Sequence, residues 1–229
     1  MIQQLREAFP DVIFHNEAHK YFRISTGQEL TSVTTWIRQY QPEFKEDYWL
    51  SVKAAERGIT KEELKAEWLQ IGLQAREQGS LHHSWIENRL QRKIINPTLP
   101  EYINRNTFNL LLKQAEQFCQ DLDLPIVAQE FVLYGRENLS GTPDLLLQGE
   151  KGLNLLDFKT GSLKRAYGKH KEPYTFLTDS SIDKYTLQLN CYRVFLEDAG
   201  FPVEKMEIVW FNENNENYQK FEINRIEIK

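Results

Sequence analysis

Two short motifs carry residue types that can hydrolyse phosphodiesters. One is a G-T-P-D sequence that ends at Asp144, and the other is a D-F-K sequence that runs from Asp157 to Lys159. Hydrolysis requires a nucleophilic water and compensation of the charge that develops on the phosphate, and a bound divalent cation provides both. Because Mg²⁺ prefers oxygen ligands and keeps several waters, two or three carboxylates can bind it. The lysine can orient or deprotonate the attacking water and offset phosphate charge, although each of the three can also be an ordinary surface residue at a strand end.

Two further residues can join this group. Glu130 is placed on the strand predicted before Asp144, from which it can complete the cluster. His83 and Glu87 are four residues apart and share one face of a predicted helix. A histidine nitrogen favours Mn²⁺ more than a pure oxygen site does, although a histidine near a helix terminus can also bind no metal. Since His82 and His83 are adjacent, only one of them can face the site.

Gln188 and Tyr192 form a third pair, again four residues apart on a predicted helix. An amide and a hydroxyl can bind phosphate oxygens or steady the active-site strand. The tyrosine also fits a stripe of core residues on the same helix, with Tyr185, Leu189 and Leu196. Both interpretations stay open from the sequence.

The segment that follows Lys159 is basic. Lys164, Arg165 and Lys169 lie on it, and no acidic residue occurs before Lys171. Such a segment can guide a nucleic-acid backbone toward the metal, or it can be a solvated mobile loop. The aromatic residues available for base stacking are Tyr167, Tyr174 and Phe176.

The elements before residue 123 are mainly helical. A hairpin is predicted around Asn16, and Thr60 with Glu63 makes a capping box at the start of a long helix. Gly72 and Gly79 should weaken or divide that helix, which Asn96-Pro97 ends. The hairpin covers residues 12–24, and the helices cover about 33–40, 44–57, 61–95 and 101–121.

The elements after residue 123 form the sheet that must position the motifs. Short polar turns join three strands into an antiparallel meander, in which Asp144 opens one strand and Asp157 and Lys159 close the next. Alternation puts Asp157 and Lys159 on one face and turns Phe158 into the core. The strands cover residues 126–133, 145–147, 153–158, 206–211 and 218–223, with a loop at 161–180 and a helix capped by Asp179, Ser180 or Asp183 that reaches 198. The result is an α/β core with a helical N-terminal half.

Bulk composition fits one domain over residues 1–229. The net charge of −5 argues against non-specific coating of nucleic acid, but not against a carboxylate metal site. No apolar run approaches the ~20 residues of a membrane span, and the start lacks the apolar core of a signal peptide. Cys119 and Cys191 fall in helical patterns and are interpreted as small buried hydrophobes in a reducing, cytoplasmic setting, such as a bacterial or phage-infected cell.

In order, the motifs G-S-L-H-H…E, E, G-T-P-D, D-F-K-T-G and Q-L-N-C-Y resemble the PD-(D/E)XK nuclease superfamily. They resemble its RecB-like exonuclease branch, which includes CRISPR-associated, phage and mitochondrial genome maintenance exonucleases. The residues from His19 to Tyr21 and from Leu30 to Thr34 are similar to the N-terminal segment of phage and mitochondrial members. The resemblance implies metal binding by His83, Asp144 and Asp157, catalysis by Lys159, and supporting roles for Glu130, Gln188 and Tyr192.

The resemblance also implies a fold and a reaction. The fold is a central mixed β-sheet flanked by helices, the restriction-endonuclease-like core, at residues 124–229, with a mainly helical part at residues 1–123. The reaction is Mg²⁺- or Mn²⁺-dependent hydrolysis of DNA, with one or two metals, from single-stranded ends. One departure from CRISPR-associated relatives is that two cysteines cannot supply the four thiolates of an iron–sulfur cluster.

Two alternatives remain. An endonuclease of the same fold, such as a restriction or junction-resolving enzyme, needs a recognition element, and the sequence contains no clear zinc finger or helix-turn-helix. A nucleic-acid-binding protein with a retired nuclease fold is the other, and the intact Asp144, Asp157 and Lys159 argue against it. Strand polarity, DNA or RNA preference and protein partners stay open.

Overall fold

The computed structural model describes the backbone of residues 1–229 and every side chain except that of Glu137. Its helices are α1 (Ile2–Ala8), α2 (Val33–Arg38), α3 (Glu46–Arg57), α4 (Lys61–Leu90), α5 (Arg105–Asp121) and α6 (Ser181–Asp198). Its strands are β1 (Val12–His15), β2 (Lys20–Arg23), β3 (Glu29–Ser32), β4 (Ile126–Gln129), β5 (Leu133–Tyr134), β6 (Leu139–Gly141), β7 (Leu145–Gln148), β8 (Leu153–Thr160), β9 (Val203–Phe211) and β10 (Gln219–Glu222).

The strands form two mixed five-stranded sheets. The first sheet, which carries both motifs, has the order β10-β9-β8-β7-β4, in which only the β8–β9 pair is parallel. The second sheet has the order β1-β2-β3-β6-β5, and here β3 and β6 are parallel. The predicted α/β class with a mixed sheet is therefore confirmed, while the second sheet extends the predicted hairpin in a way that the sequence did not indicate.

Helices cover both faces of the β7–β8–β9 region. Leu145 and Leu147 pack with Leu111 and Phe118 of α5 on one face. Leu146, between them, packs on the opposite face with the α6 residues. This alternation follows from the two-residue repeat of a strand, and it explains why the central strands read as continuous hydrophobic runs.

The predicted strand at residues 126–133 is wrong in one respect that affects the site. Strand β4 ends at Gln129, and Glu130 takes a left-handed backbone conformation with φ 46°. This conformation turns the chain out of the first sheet. Strands β5 and β6 then join the second sheet, and β7 returns to the first. The predicted meander is therefore interrupted, and Glu130 lies at the strand end rather than on the strand.

The long helix α4 is continuous, so it is not divided at Gly72 or Gly79. It runs for 30 residues and ends at Leu90, before the predicted Asn96. Both hydrogen bonds of the predicted capping box between Thr60 and Glu63 are present. Two glycines cost an exposed helix only about 1 kcal/mol each, and other interactions of this helix offset that cost.

Other element boundaries differ by less. Helix α5 begins at Arg105 behind an Asn104 cap, four residues after the predicted start. Of the three predicted caps for α6, Ser180 is the one that accepts from the Asp183 amide. Cys191 is buried in the core and Cys119 is half-buried, as expected for small hydrophobes. Within the described part of the chain, no helix is long and apolar enough to cross a membrane.

The last residues, 224–229, lie against α6 and are fixed by charged groups. Arg193 donates to the Ile226 carbonyl at 2.8 Å and to Glu197 at 2.6 Å. Arg225 donates to Glu197 at 2.8 Å. Although burial raises the pKa of Glu197, these hydrogen bonds and positive charges lower it below its ordinary value.

Replacing Glu197 with glutamine should lower the free energy of unfolding by about 1 kcal/mol near pH 7, the scale of a partly exposed ion pair. Because the folded-state pKa lies below the ordinary value of 4.5, this contribution is complete above that pH and is lost as the pH falls through the folded-state pKa. Urea unfolding near pH 7 and near pH 3 measures the difference. The exposed Glu227→Gln variant is the control, and an equal deficit for Glu197→Gln at both pH values would contradict the argument.

Candidate metal and catalytic site

The register of two strands brings the two motifs together. In the antiparallel pair β7–β8, Leu145 lies opposite Leu156, so Asp144 and Asp157 are neighbours at the end of the pair. The Phe158 amide donates to Asp144 Oδ2, which fixes that carboxylate against β8. Asp144 is only 9% exposed, so protein groups rather than water surround its other oxygen, Oδ1.

Three side chains form a group with the donor set of a metal site. Ligand atoms of His83, Glu130 and Asp144 all lie within 4.8 Å of one another, and His83 Nδ1 is 3.3 Å from Asp144 Oδ1. An ion bound at ~2.1 Å from each donor would need these atoms at most about 4.2 Å apart, so small side-chain rotations are enough. One imidazole and two carboxylates suit Mg²⁺ or Mn²⁺.

Asp157 is adjacent to this group but has a different partner. Its Oδ2 forms an ion pair with Lys159 Nζ, and Gln188 Nε2 lies 3.4 Å from its Oδ1. The same Gln188 nitrogen donates to the Tyr192 hydroxyl at 3.0 Å. The structure therefore brings Asp144, Asp157, Lys159, Gln188 and Tyr192 together, as the resemblance implies, while Glu130 rather than Asp157 completes the three-donor group.

The three carboxyl groups of the site differ in their pKa values. Although more than a third of Glu130 is exposed, desolvation of its carboxyl and the charge of Asp144 raise its pKa to about 9. Burial also raises the pKa of Asp157, to about 6, against the opposing effect of Lys159. Burial acts in the same direction on Asp144, but the neighbouring His83 and Lys159 lower its pKa below the ordinary value. Such divergent pKa values of close carboxyl groups are typical of functional sites.

Lys159 is positively charged in this setting. Burial lowers the pKa of its ammonium group, but the charges of Asp157 and Asp144 raise it above the ordinary value. Its Nζ also lies 4.9 Å from the centre of the Tyr185 ring. Its ion pair with Asp157 suits a lysine that orients the attacking water and offsets phosphate charge, and deprotonation of that water stays the second predicted role.

The two adjacent histidines have opposite environments. His83 faces Asp144, and although burial lowers its pKa, the charge of Asp144 raises it above the ordinary value. His82 is fully buried, with its ring 4.6 Å from that of Phe211 and its Nε2 3.2 Å from the Leu111 carbonyl. Burial lowers the pKa of His82 to about 3. His82 is therefore a neutral core residue, and His83 is the one that faces the site.

The three-donor group opens into a cavity of about 760 Å³. The opposite wall comes from the N-terminal sheet, where the Tyr21 hydroxyl lies 3.1 Å from Thr142 Oγ1. His19 on the same wall has a left-handed backbone with φ 54°, a strained conformation of the kind found at functional sites. The polar residues of this wall are Asn16, His19, Tyr21, Ser32, Thr34 and Thr142.

This wall was not predicted as part of the site. The signal that could have found it is the similarity of the segments at 19–21 and 30–34 to phage and mitochondrial members. The pairing of Thr31 with Leu139 and of Ser32 with Ser140 brings the second segment alongside the G-T-P-D motif. These hydroxyl and amide groups are suited to contact phosphate and sugar oxygens.

The predicted substrate-binding residues lie outside that cavity. Lys164, Arg165 and Lys169 are exposed, and among the described lining residues of the cavity none of the three occurs. They belong to a loop at 161–180 without helix or extended strand, as predicted. Tyr174, one of the predicted stacking residues, is only 1% exposed and packs edge-on to the Tyr40 ring at 4.9 Å, so the stacking prediction is wrong for that residue.

No protein-family model matches this chain, and no curated protein is significantly similar to it.

Proposed function

We propose that this protein is a divalent-metal-dependent nuclease of the PD-(D/E)XK type, which hydrolyses DNA from single-stranded ends. The observation that carries the proposal is the convergence of His83, Glu130 and Asp144 beside the Asp157–Lys159 pair. The mixed sheet with helices on both faces is compatible with a restriction-endonuclease-like core. Two free cysteines, Cys191 buried and Cys119 half-buried, suit a cytoplasmic setting.

The roles of the residues follow from their contacts. His83, Glu130 and Asp144 would hold Mg²⁺ or Mn²⁺, which supplies a Lewis acid and a more acidic bound water. Lys159 places a positive charge at the edge of the site, where it can orient the attacking water and offset charge on the phosphate. Asp157 positions Lys159. Gln188 donates toward the second Asp157 oxygen and so holds that carboxylate in place.

Preference for a single strand rests on the shape of α4. Only its first and last parts contain buried residues, Leu64 near the start and His82 and Ile86 near the end. The part between, residues 65–80, projects from the core with mostly exposed side chains, and Gly79 passes close to the Thr160 hydroxyl at the end of β8. A projecting helix beside the metal group leaves room for a thin, flexible strand more readily than for a duplex.

The test uses four DNA substrates: linear single-stranded, linear double-stranded, closed circular single-stranded and closed circular double-stranded. Each is incubated with Mg²⁺, with Mn²⁺ and with EDTA, and the linear strands carry a label at the 5′ or the 3′ end. We expect metal-dependent loss of linear single strands, little cutting of circles, and no activity in EDTA. Efficient cutting of circles would identify an endonuclease instead, and inactivity on all four substrates would reject the nuclease proposal.

A further inference from the structure

A second cleft, of about 480 Å³, lies between α3, the first half of α4 and the loop at 161–180. Its walls are unusually aromatic: Phe44, Trp49, Trp68 and Tyr167 all line it. The Phe44 and Trp68 rings are 6.4 Å apart, and Trp68 is anchored on the small core formed with Leu64. The cleft therefore has a fixed aromatic floor.

The aromatic walls are open to solvent. Tyr167 is 89% exposed, Phe44 is 64% exposed and Trp49 is 39% exposed. Single exposed apolar residues need no explanation, but several that line one cleft are typical of a binding surface.

The backbone that carries Tyr167 is fixed. The amides of Tyr167 and Gly168 donate to Asp179 Oδ1 at 2.7 and 2.8 Å, and the Asp179 amide donates back to the Gly168 carbonyl. A Cβ at Gly168 would lie 3.3 Å from Pro42 Cγ, which shows how closely the loop packs on the opposite wall. Tyr167 is thus an exposed side chain on a tethered backbone, so binding through it would cost little ordering entropy.

Charge around the cleft favours a polyanion. Lys45 and Lys53 line it, and the loop adds four cations between residues 164 and 171 without an acidic residue. The lining itself is balanced, since Glu43 and Asp179 match the two lysines and Lys53 also pairs with Glu56 at 2.7 Å, so the excess of positive charge lies on the segment at 164–171. Aromatic walls bordered by cations are the combination that binds single-stranded nucleic acid without sequence preference.

We propose that this aromatic cleft binds unpaired nucleobases of a single strand, while the basic segment at 164–171 contacts its phosphates. The inference rests on the proposed function and adds a second binding site for the same substrate. Trp68 and His83 lie 15 residues apart on α4, which is roughly 22 Å at 1.5 Å per residue. A strand that spans this distance needs about seven stacked nucleotides at ~3.4 Å each.

The test measures binding in EDTA, so that no DNA is cut. Fluorescence anisotropy gives the Kd of a 20-nucleotide oligothymidine and of an abasic strand of equal length. Because stacking is worth about 1–3 kcal/mol per base, the Tyr167→Leu variant should bind oligothymidine at least 5-fold more weakly than wild type and the abasic strand equally well. Trp49→Leu should behave in the same way.

Controls separate stacking from charge and from folding. Tyr102→Leu removes an exposed aromatic elsewhere on the surface, 47% exposed, that does not line the cleft, and it should leave both Kd values unchanged. Arg165→Gln should weaken the binding of both strands equally. It should also reduce the slope of log K against log salt concentration by ~0.7, the single-strand value for one phosphate contact. Thermal unfolding checks that Tyr167→Leu and Trp49→Leu are folded.

The outcomes are distinguishable from those of the nuclease proposal. Unchanged oligothymidine binding by folded Tyr167→Leu and Trp49→Leu would overturn the cleft, whether or not DNA is cut. An equal loss of affinity for oligothymidine and for the abasic strand would also overturn the cleft. So would sedimentation in which wild type self-associates and Tyr167→Leu does not. Base-dependent binding by a protein that cuts no DNA would support the cleft and reject hydrolysis.

Discussion

Replacing Asp144 with asparagine should remove detectable Mn²⁺ binding and lower the rate of DNA cleavage at least ~1,000-fold, about 4 kcal/mol of transition-state stabilisation. Asp144 is the residue at which the site converges. Its Oδ2 accepts a hydrogen bond from the Phe158 amide, and its Oδ1 lies 3.3 Å from His83 Nδ1. An amide oxygen is a weaker ligand for a hard cation than a carboxylate, so the ion would lose its strongest ligand.

The same substitution should leave the metal-free protein folded. Asparagine keeps the size of Asp144 and an oxygen that can accept from the Phe158 amide. It removes the charge that His83 and Lys159 stabilise, since both, against the effect of burial, lower the pKa of Asp144. The free energy of unfolding without metal should therefore fall by about 1–3 kcal/mol.

Calorimetry with MnCl₂, single-turnover cleavage and thermal unfolding measure the three quantities. Asp198→Asn is the matched control, because Asp198 is an exposed carboxylate paired with Arg136, and it should bind Mn²⁺ like wild type. Full Mn²⁺ affinity in folded Asp144→Asn would show that the three-donor group is not the metal site.

The part of this site that could be predicted depends on short-range regularity. The two-residue repeat of β8 puts Asp157 and Lys159 on one face, and the antiparallel register brings Asp144 beside them. The helix repeat lets only one of two adjacent histidines face the site, which the structure shows to be His83. Each of these steps uses residues that are near in sequence or joined by one tight turn.

The part that could not be predicted depends on long-range pairing. Strand β6 has only three residues, Leu-Ser-Gly, and no strong strand-forming residue. It is a strand because β3 pairs with it and because Gly141 admits the Tyr192 ring: a Cβ there would lie 2.3 Å from ring carbon Cε1. The chain takes a left-handed turn at Glu130 because it leaves the first sheet there to form β5 and β6. The position of Glu130 relative to Asp144 could therefore not be predicted from an alternation pattern.

The Lys159→Met variant should be inactive and also less stable than wild type, by about 3 kcal/mol near pH 7. Asp157 is 2% exposed and has Lys159 as its ion-pair partner, and removing one member of a buried ion pair leaves an uncompensated charge. Asp157 already has a pKa raised to about 6 by burial. Loss of the lysine should raise that pKa further, so the carboxyl would take up a proton on folding.

Because of this proton uptake, the loss of stability in Lys159→Met should depend on pH. A carboxyl whose pKa is higher in the folded than in the unfolded state destabilises the fold progressively as the pH rises. The deficit relative to wild type should therefore be larger near pH 8 than near pH 5. Urea unfolding at both pH values measures it, and a deficit that is independent of pH would indicate lost packing of the lysine side chain instead.

Adding Asp157→Asn to Lys159→Met separates stability from catalysis. Because a neutral amide needs no counter-charge, the double variant should regain stability to within about 1 kcal/mol of wild type. It should remain inactive, since neither the lysine charge nor the carboxylate that positions it is restored. The exposed Arg136–Asp198 pair provides a reference cycle, for which we expect a coupling energy below about 1 kcal/mol. A double variant that regains activity would show that the Asp157–Lys159 pair serves the fold and not the reaction.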